Sequence, residues 1–108
     1  MRLTPAKLLT IIAESLLERE LTALIENAGA SGYTVEEDIQ GKGKHGVRGG
    51  RLESMKNIKV LVIASPSVAK RIVADVQKNL APTYAIIAFM HDVEVMNVLP
   101  ARADSVSV

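Results

Sequence analysis

The sequence contains no cysteine and no tryptophan, and its aromatic residues are two tyrosines and one phenylalanine among 108 residues. Without cysteine there can be no disulfide, no thiolate metal ligand and no cysteine nucleophile, and the composition fits a reducing compartment. No apolar run reaches the ~18 residues of a membrane-spanning helix, and the N-terminus lacks the apolar stretch of a secretion signal. These absences predict a cytoplasmic protein without membrane insertion.

The chain also lacks an excess of charge of either sign. Thirteen basic and twelve acidic residues leave a net charge of +1, and hydrophobic residues make up 48% of the chain against 23% charged. A sequence with this balance is expected to fold around an apolar core. Its length fits one domain, which we assign to residues 1–99, followed by a flexible polar tail at 100–108.

Hydrophobic periodicity predicts a first half made of a strand, a helix and a second strand. Residues 8–13 form an apolar, branched run that is typical of a buried strand. Ser15 and Glu18 have the spacing of a capping box at the start of a helix, and Gly29 is a typical stop. Alternation then predicts a strand at 33–40 that weakens toward its end.

The second half repeats this order. Residues 58–64 alternate strongly as a strand, with Ile58, Val60, Val62 and Ala64 on one face. Ser65 followed by Pro66 predicts the start of a second helix. Residues 84–99 predict a last strand, which is long for a single one.

Two split βαβ halves of this length predict an α+β fold, a ferredoxin-like βαββαβ sandwich with a long loop between strands two and three. One antiparallel sheet carries both helices on one face. The other face, which includes Leu61 and Ile63, is also apolar and needs a cover. In so short a chain the expected cover is another copy of the chain.

The long loop concentrates the unusual chemistry. Residues 41–51 include five glycines, two lysines, two arginines and no acidic residue. Glycine lets backbone amides converge on an anion, while lysine and arginine supply positive charge. The composition predicts a phosphate-binding loop, and it fits a flexible, solvated basic turn equally well.

This loop matches known nucleotide-binding motifs in sequence, but its flanking elements differ from those that the motifs require. Residues 41–46 satisfy G-x-G-x-x-G, but no helix start follows, as a dinucleotide site requires, and the chain has no G-K-[ST] of a Walker A loop. Residues 43–46 satisfy the GXXG of the KH fold, but strands flank them and aromatic residues for base stacking are few. RNA binding is therefore only a secondary possibility.

No group of residues has the pattern of an active site. His91 and Asp92 are neighbours on a strand, so they are expected to point to opposite faces. Glu36, Glu37 and Asp38 fit a solvated strand edge better than a set of metal ligands. We therefore predict no enzyme activity, no catalytic residue, no metal and no bound cofactor.

Residues 46–51, which end a strand and precede 58–62, resemble the loop-and-strand signature of PII signalling proteins. The order of the six elements is similar too. Residues 7–13, 29–35 and 84–95 are similar to the PII-like branch linked to bicarbonate uptake and carboxysomes. The resemblance implies a homotrimer that binds adenine nucleotides in clefts between its subunits.

Carried over by position, the resemblance implies a nucleotide or anion site in two parts. The loop part consists of Gly41, Lys42, Gly43, His45, Gly46, Val47, Arg48, Gly49 and Arg51. The second part, from the neighbouring side of the cleft, consists of Tyr84, Ala85 and Ile86. The T-loop, at about 41–56, would report occupancy to a partner such as a bicarbonate transporter or a carboxysome-associated protein.

Three departures from the family pattern refine these expectations. No tyrosine lies between Gly50 and Lys56, so modification by uridylylation is not expected. Residues 80–83 lack the glycines and lysines of a second phosphate loop, which favours ADP or AMP over ATP, with bicarbonate as a further ligand. The absence of a cysteine-containing tail removes redox control and favours the carboxysome-associated type.

The leading interpretation is therefore a nucleotide sensor that regulates the acquisition of inorganic carbon and has no nucleic acid partner. An alternative of a different class is a structural or adaptor trimer whose basic loop docks an acidic partner or RNA.

Overall fold

The structure, a computed structural model, describes residues 2–39, 41–43, 46–48 and 56–96, and the side chains of 2–37 and 56–96. Its strands are β1 (Leu3–Glu14), β2 (Thr34–Ile39), β3 (Gly41–Gly43), β4 (Gly46–Arg48), β5 (Asn57–Ala64) and β6 (Ile87–Met96). Its helices are α1 (Glu18–Asn27), which follows a 3₁₀ turn at Ser15–Leu17, and α2 (Pro66–Asn79). Among these described residues, neither helix has the length and apolarity needed to cross a bilayer.

Four strands form one antiparallel sheet in the order β2-β5-β1-β6, and β3 pairs with β4 in a separate ladder. β5 therefore lies between β1 and β2, and β1 lies between β5 and β6, as two interleaved βαβ units require. This arrangement confirms the predicted ferredoxin-like α+β fold.

The core lies between this sheet and the two helices. One face of β1 and β5 is fully enclosed, as the alternation predicts. Burying one such aliphatic side chain stabilises the fold by about 1.5–3 kcal/mol. On this face the buried residues of the sheet are Leu9, Ile11, Ala13, Ile58, Val60, Val62 and Ala64, and those of the helical layer are Leu17, Leu21, Ile25, Ala28, Ala69, Ile72, Val76 and Leu80.

The start of α1 differs from its prediction. Ser15 begins the 3₁₀ turn, and neither this turn nor α1 has a side-chain hydrogen bond at its N-cap, so the capping box is wrong. The turn instead places Leu17 in the core, and the amide of Ser15 donates to the carbonyl oxygen of Lys56 at 2.6 Å. Burial of Leu17 and this backbone bond thus take the place of the cap.

The predicted start of α2 and the predicted stop of α1 are confirmed. The hydroxyl oxygen of Ser65 accepts the Val68 amide at 3.3 Å, and Pro66 occupies the first turn. Gly29 has a φ of +104°, a backbone conformation that L side chains rarely adopt. Arg71 of α2 donates to the Ala28 carbonyl at 3.4 Å and so joins the two helices where α1 ends.

The first residues of β1 and of β6 both differ from the prediction. β1 begins at Leu3 rather than at residue 8, and it includes Pro5. Residues before Lys7 pair only with β6, so the missing N–H of proline can be tolerated on the side that β5 does not reach. β6 begins at Ile87 rather than Tyr84, because residues 81–83 form a turn that follows α2.

The sheet face away from the helices is apolar and incompletely covered. Leu8, Ile12, Leu61 and Ile63 are half-buried there, as the sequence indicates for the last two. On β6, Ile87 and Phe89 are 41% and 44% exposed. The phenyl ring of Phe89 meets the imidazole of His91 edge to face, with ring centroids 5.7 Å apart. We refer to this surface as the open face.

Candidate functional site

The predicted loop contains regular structure. The glycine-rich segment is predicted to lie in a long loop between strands two and three, and within that connection β3 and β4 pair through Gly41 with Arg48, Lys42 with Val47 and Gly43 with Gly46. Glycine is unfavourable in strands, which is why composition alone predicts a loop here. The long connection between β2 and β5 is present, and it carries this hairpin.

The ladder brings six of the predicted site residues together. They are Gly41, Lys42, Gly43, Gly46, Val47 and Arg48, which are described through their backbones. The other predicted loop residues, His45, Gly49 and Arg51, lie outside the described residues. Antiparallel pairing places the Lys42 and Arg48 backbones on facing strands, one position apart along the ladder.

The second part of the predicted site lies between α2 and β6. Tyr84, Ala85 and Ile86 are half-buried, and the side chains of Tyr84 and Ile86 pack against the core. The Tyr84 amide donates to the Leu80 carbonyl at 2.9 Å, which ties the segment to the end of α2. This segment is therefore held both by packing and by a backbone hydrogen bond.

The two parts lie at the same end of the sheet but at opposite edges. The chain leaves β2 at Ile39, whose partner Asn57 pairs with Glu14 at the end of β1. β6 begins at Ile87 opposite Ile12, near the same end. Since three strand spacings separate β2 from β6, their backbones are about 14 Å apart within one chain.

The edge strand that leads to the hairpin contains an irregularity. Glu36 pairs with Lys59 and Ile39 with Asn57, so β2 advances three residues while β5 advances two. This extra residue is the signature of a β-bulge, which bends a strand and turns the following chain. The weak alternation at the end of the predicted strand reflects this bulge.

The return of the connection to the sheet contains a residue that sequence reasoning missed. Asn57 is 1% exposed, and it directly follows Lys56, whose carbonyl oxygen is bonded to Ser15. Its signal in the sequence is slight: a polar residue placed just before an alternating apolar strand. Its enclosure becomes apparent only in the folded chain, where the start of β5 pairs with the ends of β1 and β2.

Charge is distributed unevenly between the connection and the remaining chain. Residues 41–51 hold four of the thirteen basic residues and none of the twelve acidic ones, so the remainder has three more acidic than basic residues. A segment of this charge favours anionic ligands. Within the described ranges, no three His, Cys, Asp or Glu residues converge in a way that could hold a metal ion.

His91 and Asp92 do not act on each other across the strand. Asp92 forms an ion pair with Lys7, its direct neighbour on β1, whereas His91 lies on the open face beside Phe89. The hydrogen bond and the charge of Lys7 lower the pKa of Asp92 below its usual value, against a small opposing effect of desolvation. The prediction that this neighbouring pair points to opposite faces is confirmed.

Together these features define a class of protein: a small ferredoxin-like domain with a basic hairpin that leaves one sheet edge and a packed apolar segment at the other. The model of the family described as nitrogen regulatory protein P-II matches residues 6–98. The chain therefore belongs to the P-II family, as the resemblance in its sequence predicts.

Solved structures agree with this assignment. A PII-like signalling protein from Thermus thermophilus is 41% identical, with a TM-score of 0.77 over 88% of this chain and 93% of that chain. The nitrogen regulatory PII-like protein CPII from Thiomonas intermedia, bound to ADP, AMP and bicarbonate, is 27% identical, with a TM-score of 0.78 over 87% and 91%.

A second structure of CPII, bound to ADP and bicarbonate, is 29% identical to this chain, with a TM-score of 0.77 over 87% and 91% of the two chains. Among the curated proteins, none matches this chain.

Proposed function

We propose that this chain is a non-enzymatic signalling protein that binds ADP or AMP, together with bicarbonate, and regulates the acquisition of inorganic carbon. The sites lie in clefts between the subunits of a homotrimer. The connection at 41–56 reports their occupancy to a protein partner of the carbon-uptake or carboxysome system. Under this proposal the protein belongs to the PII-like branch that is linked to bicarbonate uptake and carboxysomes.

One observation carries the proposal of a site between subunits. The hairpin and the segment at 84–86 are at the same end of the sheet but at opposite edges. Because opposite edges of one sheet face away from each other, the two parts of one chain do not form a single site. If the edges of two copies are placed side by side, the hairpin of one copy meets the 84–86 segment of the next. A cyclic assembly repeats this heterologous contact at each interface.

The choice of ligands is supported by charge and by the related protein. Four positive side chains in 41–51 suit a diphosphate, and arginine can hold phosphate oxygens in pairs. CPII from Thiomonas binds ADP, AMP and bicarbonate. Bound phosphate offsets the repulsion among these charges, so occupancy changes which conformations of the connection are stable, and this change is the signal.

The test is a calorimetric titration with ADP, with and without bicarbonate, of the wild-type chain and of Arg48→Ala. We expect saturable binding that strengthens with bicarbonate. Loss of the Arg48 guanidinium should cost about 1.5–3 kcal/mol of binding free energy, the range for hydrogen bonds to a charged group.

The matched control is Lys70→Ala, which removes one positive charge from an exposed position on α2. It should bind ADP as the wild type does, because it lies on the helical layer. An Arg48→Ala affinity equal to that of Lys70→Ala would contradict the role of Arg48. Absence of heat from the wild-type chain would contradict nucleotide sensing and favour the adaptor alternative, in which the basic connection docks an acidic partner.

A further inference from the structure

The base of the 41–56 connection holds the most completely enclosed polar residue in the described part of the chain. Asn57 is 1% exposed, and the one other buried polar residue described is Thr10 at 5%. By strand alternation both lie on the open face, where Leu61 and Ile63 are only half-buried. Asn57 is thus enclosed on a face where the apolar residues Leu61 and Ile63 remain partly exposed.

Position 57 is also where three segments of chain meet. Asn57 pairs with Ile39, the last residue of β2, and with Glu14, the last residue of β1. The preceding residue, Lys56, accepts the Ser15 amide through its carbonyl oxygen at 2.6 Å. Since the connection leaves the sheet at Ile39 and returns at Lys56, both of its ends are attached at this point.

A buried carboxamide, such as that of Asn57, requires hydrogen-bond partners as well as space. Its two N–H donors and its carbonyl oxygen cannot be satisfied by water when the side chain is enclosed, so protein groups must satisfy them. Asn57 does take part in a polar interaction within the chain. Hydrogen bonds depend on direction, whereas apolar contacts do not, so an asparagine here constrains the orientation of the chain around it.

We propose that Asn57 is a positioning residue whose buried carboxamide fixes the angle at which the 41–56 connection returns to the sheet. It thereby sets how the connection meets a bound anion, without contacting that anion. The inference rests on the proposed function for its ligand, ADP. Its structural part concerns the connection itself and can be tested without nucleotide.

The test compares two nearly isosteric substitutions on the same face. Asn57→Leu removes the donors and the acceptor at the base of the connection, and Thr10→Val removes the other buried polar group. Thr10 pairs with Leu61, four residues along β5 from Asn57, so it lies about 14 Å from Asn57 when the strand spacing is included. Each full-length variant is titrated with ADP in bicarbonate, unfolded in urea, and digested with trypsin, which cleaves after the lysines and arginines of 41–56.

Both variants are expected to lose stability. Only Asn57→Leu should raise the ADP dissociation constant, by tenfold or more, and change the initial rate of cleavage within 41–56 at least threefold. Thr10→Val should stay within twofold of the wild type in both. A dissociation constant and a cleavage rate for Asn57→Leu within twofold of Thr10→Val would overturn the proposal, because the residue would then serve stability alone.

Two further arms keep the outcome decisive. If Asn57→Leu does not fold, Asn57→Ser, which keeps one donor and an acceptor, replaces it, and we expect at least a threefold loss of ADP affinity. Unchanged affinity and cleavage in Asn57→Ser would overturn the proposal. If the wild type does not bind ADP, the proposed function fails, and cleavage without nucleotide decides alone: an unchanged rate in Asn57→Leu rejects the positioning role.

Discussion

At the scale of single residues, polar side chains in this protein have roles that follow from their face of the sheet. Asp92 and His91 are adjacent in sequence, yet one pairs with Lys7 on the side of the helices and the other lies against Phe89 on the open face. An ion pair and a ring contact thus replace the acid–base pair that adjacency alone could have suggested.

The Lys7–Asp92 pair predicts a dependence of stability on pH. Because the pKa of Asp92 is lowered in the folded chain, its contribution is present above the usual pKa of an aspartate, about 4, and is lost as the pH falls through the lowered value. Asp92→Asn should therefore lower the free energy of unfolding slightly at pH 7 and less at pH 3. Urea denaturation at both values measures this.

Glu94→Gln provides the control for that measurement. Glu94 is exposed on the same strand, opposite Pro5 rather than opposite a lysine. It should have a smaller effect at pH 7. If the effect of Asp92→Asn were the same at pH 7 and pH 3, the ion pair would not contribute to stability. Because Asp92 is 85% exposed, solvent screening keeps the effect small.

At the scale of the elements, the turn after α1 depends on a backbone conformation that glycine tolerates. Gly29 has a φ of +104°, and a Cβ built there would be 3.7 Å from Cγ2 of Val68, an ordinary contact. Gly29→Ala should therefore destabilise the fold through its backbone alone, by about 1–2 kcal/mol. The midpoint and slope of urea unfolding measure the loss.

Gly32→Ala tests whether the conformation is the cause. Gly32 lies in the same connection, and Gly29 is the one glycine in the described part of the chain with a positive φ. We expect Gly32→Ala to change stability by less than about 0.5 kcal/mol, as is usual away from special backbone conformations. Equal losses in the two variants would show that adding a methyl group to this connection, and not the φ of Gly29, causes the loss.

The elements also separate what the sequence predicts from what it does not. The alternation of β5 and the stripes of both helices could be read directly, since each depends on the spacing of apolar residues. The capping box failed because Ser15 and Glu18 have suitable identities but Leu17 is needed in the core. A spacing rule does not include that requirement.

Pairing between strands was the other source of error. The predicted first strand began at residue 8, yet β1 starts at Leu3, and the predicted long loop contains the paired strands β3 and β4. The partner strand, and not local preference, decides such cases. The burial of Asn57 is hidden for the same reason, because it depends on three strand ends that are distant in sequence. The two parts of the candidate site were named in advance, but their placement at opposite edges needed the sheet order.

At the scale of the whole molecule, the open face is the surface that a proposed trimer would cover. Phe89 is 44% exposed on this face, on the edge strand β6 between Ile87 and His91. Phe89→Glu would place a charge in an apolar interface and should shift the protein from a trimer toward a single subunit. Light scattering during size-exclusion chromatography measures the mass.

The matched variant is Ala74→Glu, which adds the same charge at an exposed position on α2. It should leave the mass unchanged, since the helical layer is on the other side of the sheet. A trimer that persists in Phe89→Glu would mean that the subunits associate through another surface.

The opposite-edge placement of the hairpin and the 84–86 segment has a consequence for the cell. Under the proposed arrangement, each subunit contributes its hairpin to a site shared with one neighbour and its 84–86 segment to a site shared with the other. No complete site then exists below the protein concentration at which the subunits assemble. The response therefore depends on the amount of protein in the cell as well as on the ligand concentration. Expression level would set the threshold of the response, and the affinity of the site would set its midpoint.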